Sequence, residues 1–198
     1  TFTDTLNYLD PYSVGSPSIT GFLPDVATVS GTMPADNRTI TVTYTAIDYL
    51  LTIVYEFEDG STAAPTFTDT LNYLDPYSVG SPSVTGFLPD VATVSGAMPA
   101  DNRTITVTYT AIDYTFTFNP NGGIEAVNIQ SFNVGGSVVE ASFSRAGYTF
   151  AGWSLDVAGL EEYTLGFTGL PAQNIEVFAQ WEAIDYTFTF DPNFGEGA

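Results

Sequence analysis

Several reactive side chains are missing from this 198-residue sequence. It contains no cysteine and no histidine, and its three basic residues are all arginines. Without cysteine the chain forms no disulfide. Without cysteine and histidine it has no Ser-His-Asp triad, no Cys-His pair and none of the usual zinc ligands. We therefore expect no enzyme activity, no catalytic residues and no cofactor.

Positive charge and long apolar runs are also scarce. The 23 acidic residues against 3 basic ones give a formal net charge of −20. Such a surface repels nucleic-acid phosphates and anionic lipids, and no apolar run is long enough to predict a membrane span. We expect no nucleic-acid partner and no membrane insertion. The absence of disulfides fits either a cytosolic protein or a bacterial surface protein.

The most informative feature that is present is an internal repeat. Residues 1–49 match residues 66–114 at an offset of 65, and the two sequences differ only at Ile19/Val84 and Thr32/Ala97. A run from Pro-Ala-x-Asn to Ala-Ile-Asp-Tyr occurs three times, within residues 33–49, 98–114 and 170–186. Repetition of this kind predicts tandem modules.

Sequence patterns typical of β-strands occur in each module. The apolar run at 50–57, the Asp-Gly pair at 59–60 and the run at 66–71 predict a β-hairpin, because Asp and Gly tolerate positive φ. The alternation at 104–109 predicts a strand with one packed face. In the third module we expect strands at 114–118, 127–134 and 175–181, and a short helix at 137–142.

Two sets of motifs carry a family resemblance. LLTIVYEFEDGSTAAPTFTDTL (50–71), PYSVGSPSVTG (76–86) and ATVSGAMPADNRTITVTY (92–109) resemble the mucin-binding-protein (MucBP) repeats of bacterial surface adhesins. YTFTFNPNGG (114–123), GYTFAGW (147–153) and VFAQW (177–181) are similar to internalin-type B-repeats.

The resemblance implies a mostly β (small α+β) fold of tandem β-grasp, ubiquitin-like modules in an elongated array. Each module would contain a hairpin, a short helix or loop crossing, and a closing strand beside the first strand. The implied division is a first repeat at 1–49 without its opening strand, a second, complete repeat at 50–113, a third, B-repeat-like module at 114–184, and the opening strand of a following repeat at 185–198. A permuted division at 1–65, 66–127 and 128–198 is the alternative.

The same resemblance implies a function outside the cell. We expect the repeat region of a bacterial cell-surface adhesin, anchored to the cell wall through regions outside this sequence, that binds mucin-type glycans or glycoproteins of a host. The alternative is a non-binding structural stalk that projects a distal head domain.

Candidate binding residues combine aromatic rings with carboxylates in a proline-containing loop. Rings stack on sugar C–H groups and carboxylates accept hydroxyl hydrogen bonds. The candidates are Tyr73, Asp75 and Tyr77, with their counterparts Tyr8, Asp10 and Tyr12; alternatively these tyrosines cap the small core. We expect no metal site, since the acids near turns match no calcium-loop pattern; they are Glu56, Glu58, Asp59, Asp191 and Glu196.

An incomplete sheet leaves backbone N–H and C=O groups unpaired and accepts a further strand. The first repeat is expected to lack its opening strand, whereas residues 186–191 have the sequence of one. We therefore predict head-to-tail self-association, in which residues 186–191 of one molecule complete residues 1–49 of the next.

Overall fold

The computed structural model describes residues 1–190, so residues 191–198, including Asp191 and Glu196 and part of the predicted last strand, lie outside the described residues. Residues 1–190 contain strands and no helix. The chain divides into two compact units, one of Thr1–Val84 with Pro89–Thr110 and one of Thr85–Leu88 with the residues from Ala111 onward. The strands are β1 (Pro11–Gly15), β2 (Phe22–Pro24), β3 (Thr28–Thr32), β4 (Tyr44–Ala46), β5 (Asp48–Phe57), β6 (Thr62–Asn72), β7 (Pro76–Gly80), β8 (Phe87–Pro89), β9 (Thr93–Ala97), β10 (Arg103–Ala111), β11 (Tyr114–Asn119), β12 (Asn128–Phe132), β13 (Tyr148–Ser154) and β14 (Ile175–Ala183).

The second repeat is built around β5, in a sheet with the order β6-β5-β10-β8. Alternate residues of β5 point into the core, and the buried ones are Leu51, Ile53 and Tyr55. The turn to β6 places Gly60 at φ +81°, which glycine adopts without steric cost. On its other side β5 pairs in parallel with β10. The predicted hairpin and the predicted closing strand beside the first strand are both confirmed.

The crossing between β6 and β10 contains a second sheet of two strands, β7 and β9. Tyr77 on β7 lies opposite Gly96 on β9, and a Cβ at Gly96 would be 2.7 Å from the tyrosine oxygen. Glycine therefore leaves the space that the ring fills. Since the described crossing has no helix, the fold is mostly β, and the β-grasp assignment remains a prediction.

The third repeat has the same strand plan in a sheet ordered β12-β11-β14-β13. Strand β11 pairs antiparallel with β12 and parallel with β14. Its inward residues Phe116 and Phe118 are fully buried in an aromatic core that also contains Phe132, Trp153 and Tyr163.

The helix predicted at 137–142 is wrong. Residues 138–142 lie in no helix or strand, and the backbone of Val139 has side-chain partners: the Gln130 side chain donates to the Val139 carbonyl (2.7 Å) and accepts from the Val139 amide (2.8 Å). The Val138 amide donates to the Phe167 carbonyl (3.0 Å). These bonds replace the contacts that an isolated helical turn would make within itself, and so short a helix has little stability of its own.

The first repeat forms fewer strands than the second, despite its nearly identical sequence. Its closing strand β4 has three residues, whereas the equivalent β10 has nine. Residues 1–7 and 38–43 are in no strand, and within the described chain no strand occupies the place that β5 occupies in the second repeat. Packing is correspondingly looser: Met98 and Tyr109 are 0% and 1% exposed, but the equivalent Met33 and Tyr44 are only half-buried.

Candidate functional site

The sequence-predicted binding residues of the second repeat mainly support the fold. Tyr77 is only 7% exposed and packs across the β7–β9 ribbon. Tyr73 packs its ring against the first repeat: its centroid is 5.5 Å from that of Phe22, edge to face, and a Cβ on Gly21 would be 2.2 Å from the ring. The Tyr77 ring is thus buried, and the Tyr73 ring is partly covered by the first repeat.

The carboxylate of Asp75 closes the turn between β6 and β7. It accepts hydrogen bonds from the backbone and side-chain nitrogens of Asn72, at 3.1 and 2.9 Å. The intervening Leu74 has φ +70°, a conformation that non-glycine residues adopt at some cost. These contacts explain why an aspartate stands at this position without any ligand.

The counterparts in the first repeat are more open. Tyr8 is 64% exposed, Tyr12 is half-buried beside Gly31, and Asp10 accepts a hydrogen bond from the Asn7 amide at 2.8 Å. The structure therefore places the six residues at two equivalent positions, one per repeat, each of which comprises a turn and the beginning of the strand that follows it, β1 or β7. Their role in glycan binding remains a prediction.

A shallow cleft in the third repeat combines aromatic rings with a carboxylate. Its volume is about 240 Å³. Phe150, on β13, forms one side and is 43% exposed; the segment that follows β12 forms the other. The lining residues are Glu140, Ala141, Ser142, Phe143 and Phe150.

Trp153 holds the walls of this cleft in place. Its ring meets those of Phe150 and Phe143 edge to face, with centroids 5.1 and 5.7 Å apart. Its indole Nε1–H donates to Oε1 of Glu140 at 2.8 Å. Edge-to-face pairs have a preferred geometry, so two phenyl rings and one carboxylate are positioned by a single buried residue.

A β-bulge brings Phe150 and Trp153 together. Residues three apart on a regular strand point to opposite faces, but the pairing of β13 with β14 shifts between Phe150 and Gly152. Gly152 has φ +133°, and the extra residue returns both aromatic side chains to one side. A glycine inside a strand is the sequence signal for such a bulge, and it falls within the GYTFAGW motif.

Two interactions define the electrostatics beside the cleft. The Ser144 hydroxyl and amide donate to the Glu125 carboxylate at 2.6 and 2.7 Å, and these hydrogen bonds lower the pKa of Glu125. The Arg145 guanidinium lies 4.0 Å from the centre of the Tyr148 ring. The segment after Phe143 is therefore held by the bonds of Ser144 to Glu125 and by the contact of Arg145 with the Tyr148 ring.

Part of the chain matches a known family. Residues 114–180 match the model described as the Listeria-Bacteroides repeat domain. The matched residues include the cleft and all of β11, β12 and β13. They make up less than half of the chain, so the match describes this segment and not the whole protein.

A solved structure is also similar to part of the chain. It is the type 2 repeat of the mucus binding protein MUB from Lactobacillus reuteri, with 23% sequence identity and a TM-score of 0.29. The similarity covers 33% of this chain and 49% of that one, so the chain spans about half the length of the structure that it matches.

Residues 1–190 contain no group of three or more acidic side chains that would hold a metal ion. The same residues include no helix of the length and hydrophobicity that a membrane span requires.

Proposed function

We propose that this chain is a repeat region of a bacterial cell-surface adhesin that binds mucin-type glycans, and that the cleft of the third repeat receives a sugar ring. The observation that carries this proposal is that Trp153 contacts the half-exposed Phe150 ring and donates to the Glu140 carboxylate, and that both of these residues line one cleft. The tandem repeats and the family match of residues 114–180 support the surface location.

The chemistry of the cleft suits a carbohydrate. A phenyl face offers an apolar surface to sugar C–H groups, and a carboxylate accepts hydrogen bonds from hydroxyls. The volume of about 240 Å³ is below the roughly 300–1,000 Å³ of most small-molecule sites. We therefore expect it to take one terminal sugar, with a weak dissociation constant of about 1 mM.

Trp153 supplies a reporter for this binding. It is one of two tryptophans in the sequence and touches both phenyl rings of the cleft. The experiment titrates the 198-residue chain with mucin-type oligosaccharides and follows tryptophan fluorescence, alongside a glycan array. Binding should shift the emission, and Phe150→Ala should remove both the shift and the array signal.

The matched control is Leu160→Ala, since Leu160 is an exposed apolar residue of the same unit, outside the cleft. This variant should bind like the wild type. Equal loss in both variants, or unchanged binding by Phe150→Ala, would disprove the cleft as the site. Loss on Tyr8→Ala alone would instead assign binding to the predicted loop.

A non-binding stalk is the second candidate, and one contact favours it. Tyr73 lies against Gly21 and Phe22, while the Tyr73 amide donates to the Ile47 carbonyl and the Ile47 amide to the Gly21 carbonyl, both at 2.9 Å. An aromatic residue of the predicted binding loop thus joins two repeats. No array signal above that of a charge-matched control protein would favour the stalk.

A further inference from the structure

The cleft of the third repeat carries charge of one sign. Among the residues that the structure describes, those lining the cleft include one carboxylate, Glu140, and no basic side chain. Oε1 of Glu140 accepts from the Trp153 indole at 2.8 Å, which holds the carboxylate in place. Oε2 takes no part in this bond and is a further acceptor for a ligand. A ligand in the cleft therefore meets one fixed negative charge.

The charges around the cleft are mostly negative as well. Residues 114–184 contain seven acidic residues and one basic residue, which is a formal net charge of −6. The nearest acid along the lining segment is bound to Ser144, one residue after Phe143: the Ser144 hydroxyl and amide donate to the Glu125 carboxylate. These bonds lower the pKa of Glu125, so it is ionised at neutral pH.

The basic residue of this repeat, Arg145, does not line the cleft. Its guanidinium lies 4.0 Å from the centre of the Tyr148 ring, a cation–π contact, and a Cβ at Gly122 would be 3.4 Å from it. Tyr148 precedes Phe150 by two residues on β13, which is about 7 Å along a strand. Glu140 is therefore nearer to a ligand in the cleft than Arg145 is, and the closer charge has the larger effect.

We propose that the cleft binds neutral sugars in preference to sugars that carry a carboxylate or a sulfate, and that Glu140 determines this specificity. This inference rests on the proposed function of the cleft as a sugar site. Among mucin-type glycans the ligands are then uncharged terminal sugars, such as galactose and N-acetylgalactosamine, and the sialylated and sulfated ends are excluded.

Two effects of the Glu140 carboxylate act in the same direction. Toward a neutral sugar it is an ionised acceptor, and hydrogen bonds to ionised groups are stronger than those between neutral groups. Toward an anionic sugar it is a like charge at short range. Two unit charges about 4 Å apart change a binding constant by about fivefold in bulk water, and by more beside a protein surface, where the effective dielectric constant is lower. We therefore expect about tenfold weaker binding of the anionic sugar.

The test uses three sugars with one ring and different charges. Methyl galactoside is neutral, methyl galacturonide carries a carboxylate at C6, and the methyl glycoside of galactosamine carries an ammonium group at C2. Each is titrated into the 198-residue chain, and the chemical shifts of the tryptophan indole N–H groups are followed by NMR. Galacturonide should bind about tenfold more weakly than galactoside, and the amino sugar at least as tightly as galactoside. Added salt should reduce both differences.

Glu140→Gln removes the charge and keeps an oxygen that accepts from the Trp153 indole. In this variant the ratio of the galacturonide and galactoside dissociation constants should fall from about ten to near one. The matched control is Glu162→Gln, which changes the net charge equally at an exposed position of the same repeat outside the cleft lining. The control should keep the ratio of the wild type.

The outcomes separate this inference from the proposed function. If galactoside does not bind, both are overturned. If galactoside binds and galacturonide binds equally well or more tightly, the cleft remains a sugar site but the inferred specificity is wrong. The inference is also overturned if Glu140→Gln leaves the ratio unchanged, or if Glu162→Gln lowers it as much, because the discrimination would then not come from the carboxylate in the cleft.

Discussion

Replacement of Gly21 by alanine tests the contact between the first two repeats. Gly21 is buried with φ +77°, a region that costs an L-residue about 1–2 kcal/mol. Its new Cβ would also lie 2.2 Å from Cδ1 of Tyr73. The shifts that would accommodate this overpacking cost about 1–3 kcal/mol. Gly21→Ala should therefore destabilise the contact by about 2–5 kcal/mol in total.

Two glycine controls separate the strain from the clash. Gly60 has φ +81° and nothing within 4 Å of its Cβ position, whereas Gly80 has equally open space without positive φ. Gly60→Ala should therefore cost only the strain, about 1–2 kcal/mol, and Gly80→Ala should have little effect. The difference between Gly21→Ala and Gly60→Ala then measures the contact with Tyr73.

Native-state hydrogen exchange is the suitable assay, because it reports local opening and does not require the two units to unfold together. The amides of Ile47 and Tyr73 are the probes, since both lie in the contact. Gly21→Ala should lower their opening free energy by about 2–5 kcal/mol. Tyr73→Ala in the same chain should restore about 1–3 kcal/mol of that loss by removing the clashing ring.

Two outcomes would refute this reasoning. If Gly21→Ala and Gly60→Ala had equal effects on these two amides, the ring would not be held against the glycine. If Tyr73→Ala failed to relieve the Gly21→Ala variant, the cost would come from the backbone alone, and the two repeats would not be joined by this contact.

Three further predictions concern side chains that make hydrogen bonds. Asn102→Ala removes the acceptor of the exposed Leu50 amide and should destabilise the second repeat by about 0.5–1 kcal/mol in urea titrations, with unfolding followed by circular dichroism. Ser144→Ala should raise the pKa of Glu125 toward its ordinary value of 4.5, as measured by NMR titration. Because folding lowers that pKa, the bonds stabilise the protein above pH 4.5, and this stability is lost as pH falls through the folded value. Gln130→Ala should cost about 1 kcal/mol in thermal unfolding, because it releases the segment after β12; an unchanged midpoint would contradict this role.

Several features were predictable because their causes are local in the sequence. The Asp-Gly turn needs only residues that tolerate positive φ, and the alternation at 104–109 marks one packed face wherever a strand forms. The resemblance of YTFTF at 114–118 to an opening strand was also sufficient to place β11. Residues 137–142 were predicted wrongly, because the deciding hydrogen bonds come from residues 130 and 167, which are distant in sequence.

The candidate site was less predictable than the strands. The sequence pointed to aromatic rings beside carboxylates at Tyr73, Asp75 and Tyr77 and at their counterparts in the first repeat; Tyr77 is buried, whereas Tyr8 is exposed, and the role of this set in glycan binding stays a prediction. The cleft instead depends on the bulge at Gly152, which places Phe150 beside Trp153, and on the indole bond to Glu140. Gly152 can be recognised in the sequence as a sign of a bulge, whereas the position of Glu140 across the cleft is set by the fold.

The sequence by itself determined the repeat, the turns and which face of each strand is apolar, since these depend on neighbouring residues. Only the tertiary structure decided whether a segment with a strand pattern forms a strand. Residues 38–43 and 103–108 are identical in sequence, yet the second set lies in β10 and the first forms no strand. The physical reason is that β10 pairs with β5, and a strand that joins a sheet needs a partner for its backbone hydrogen bonds.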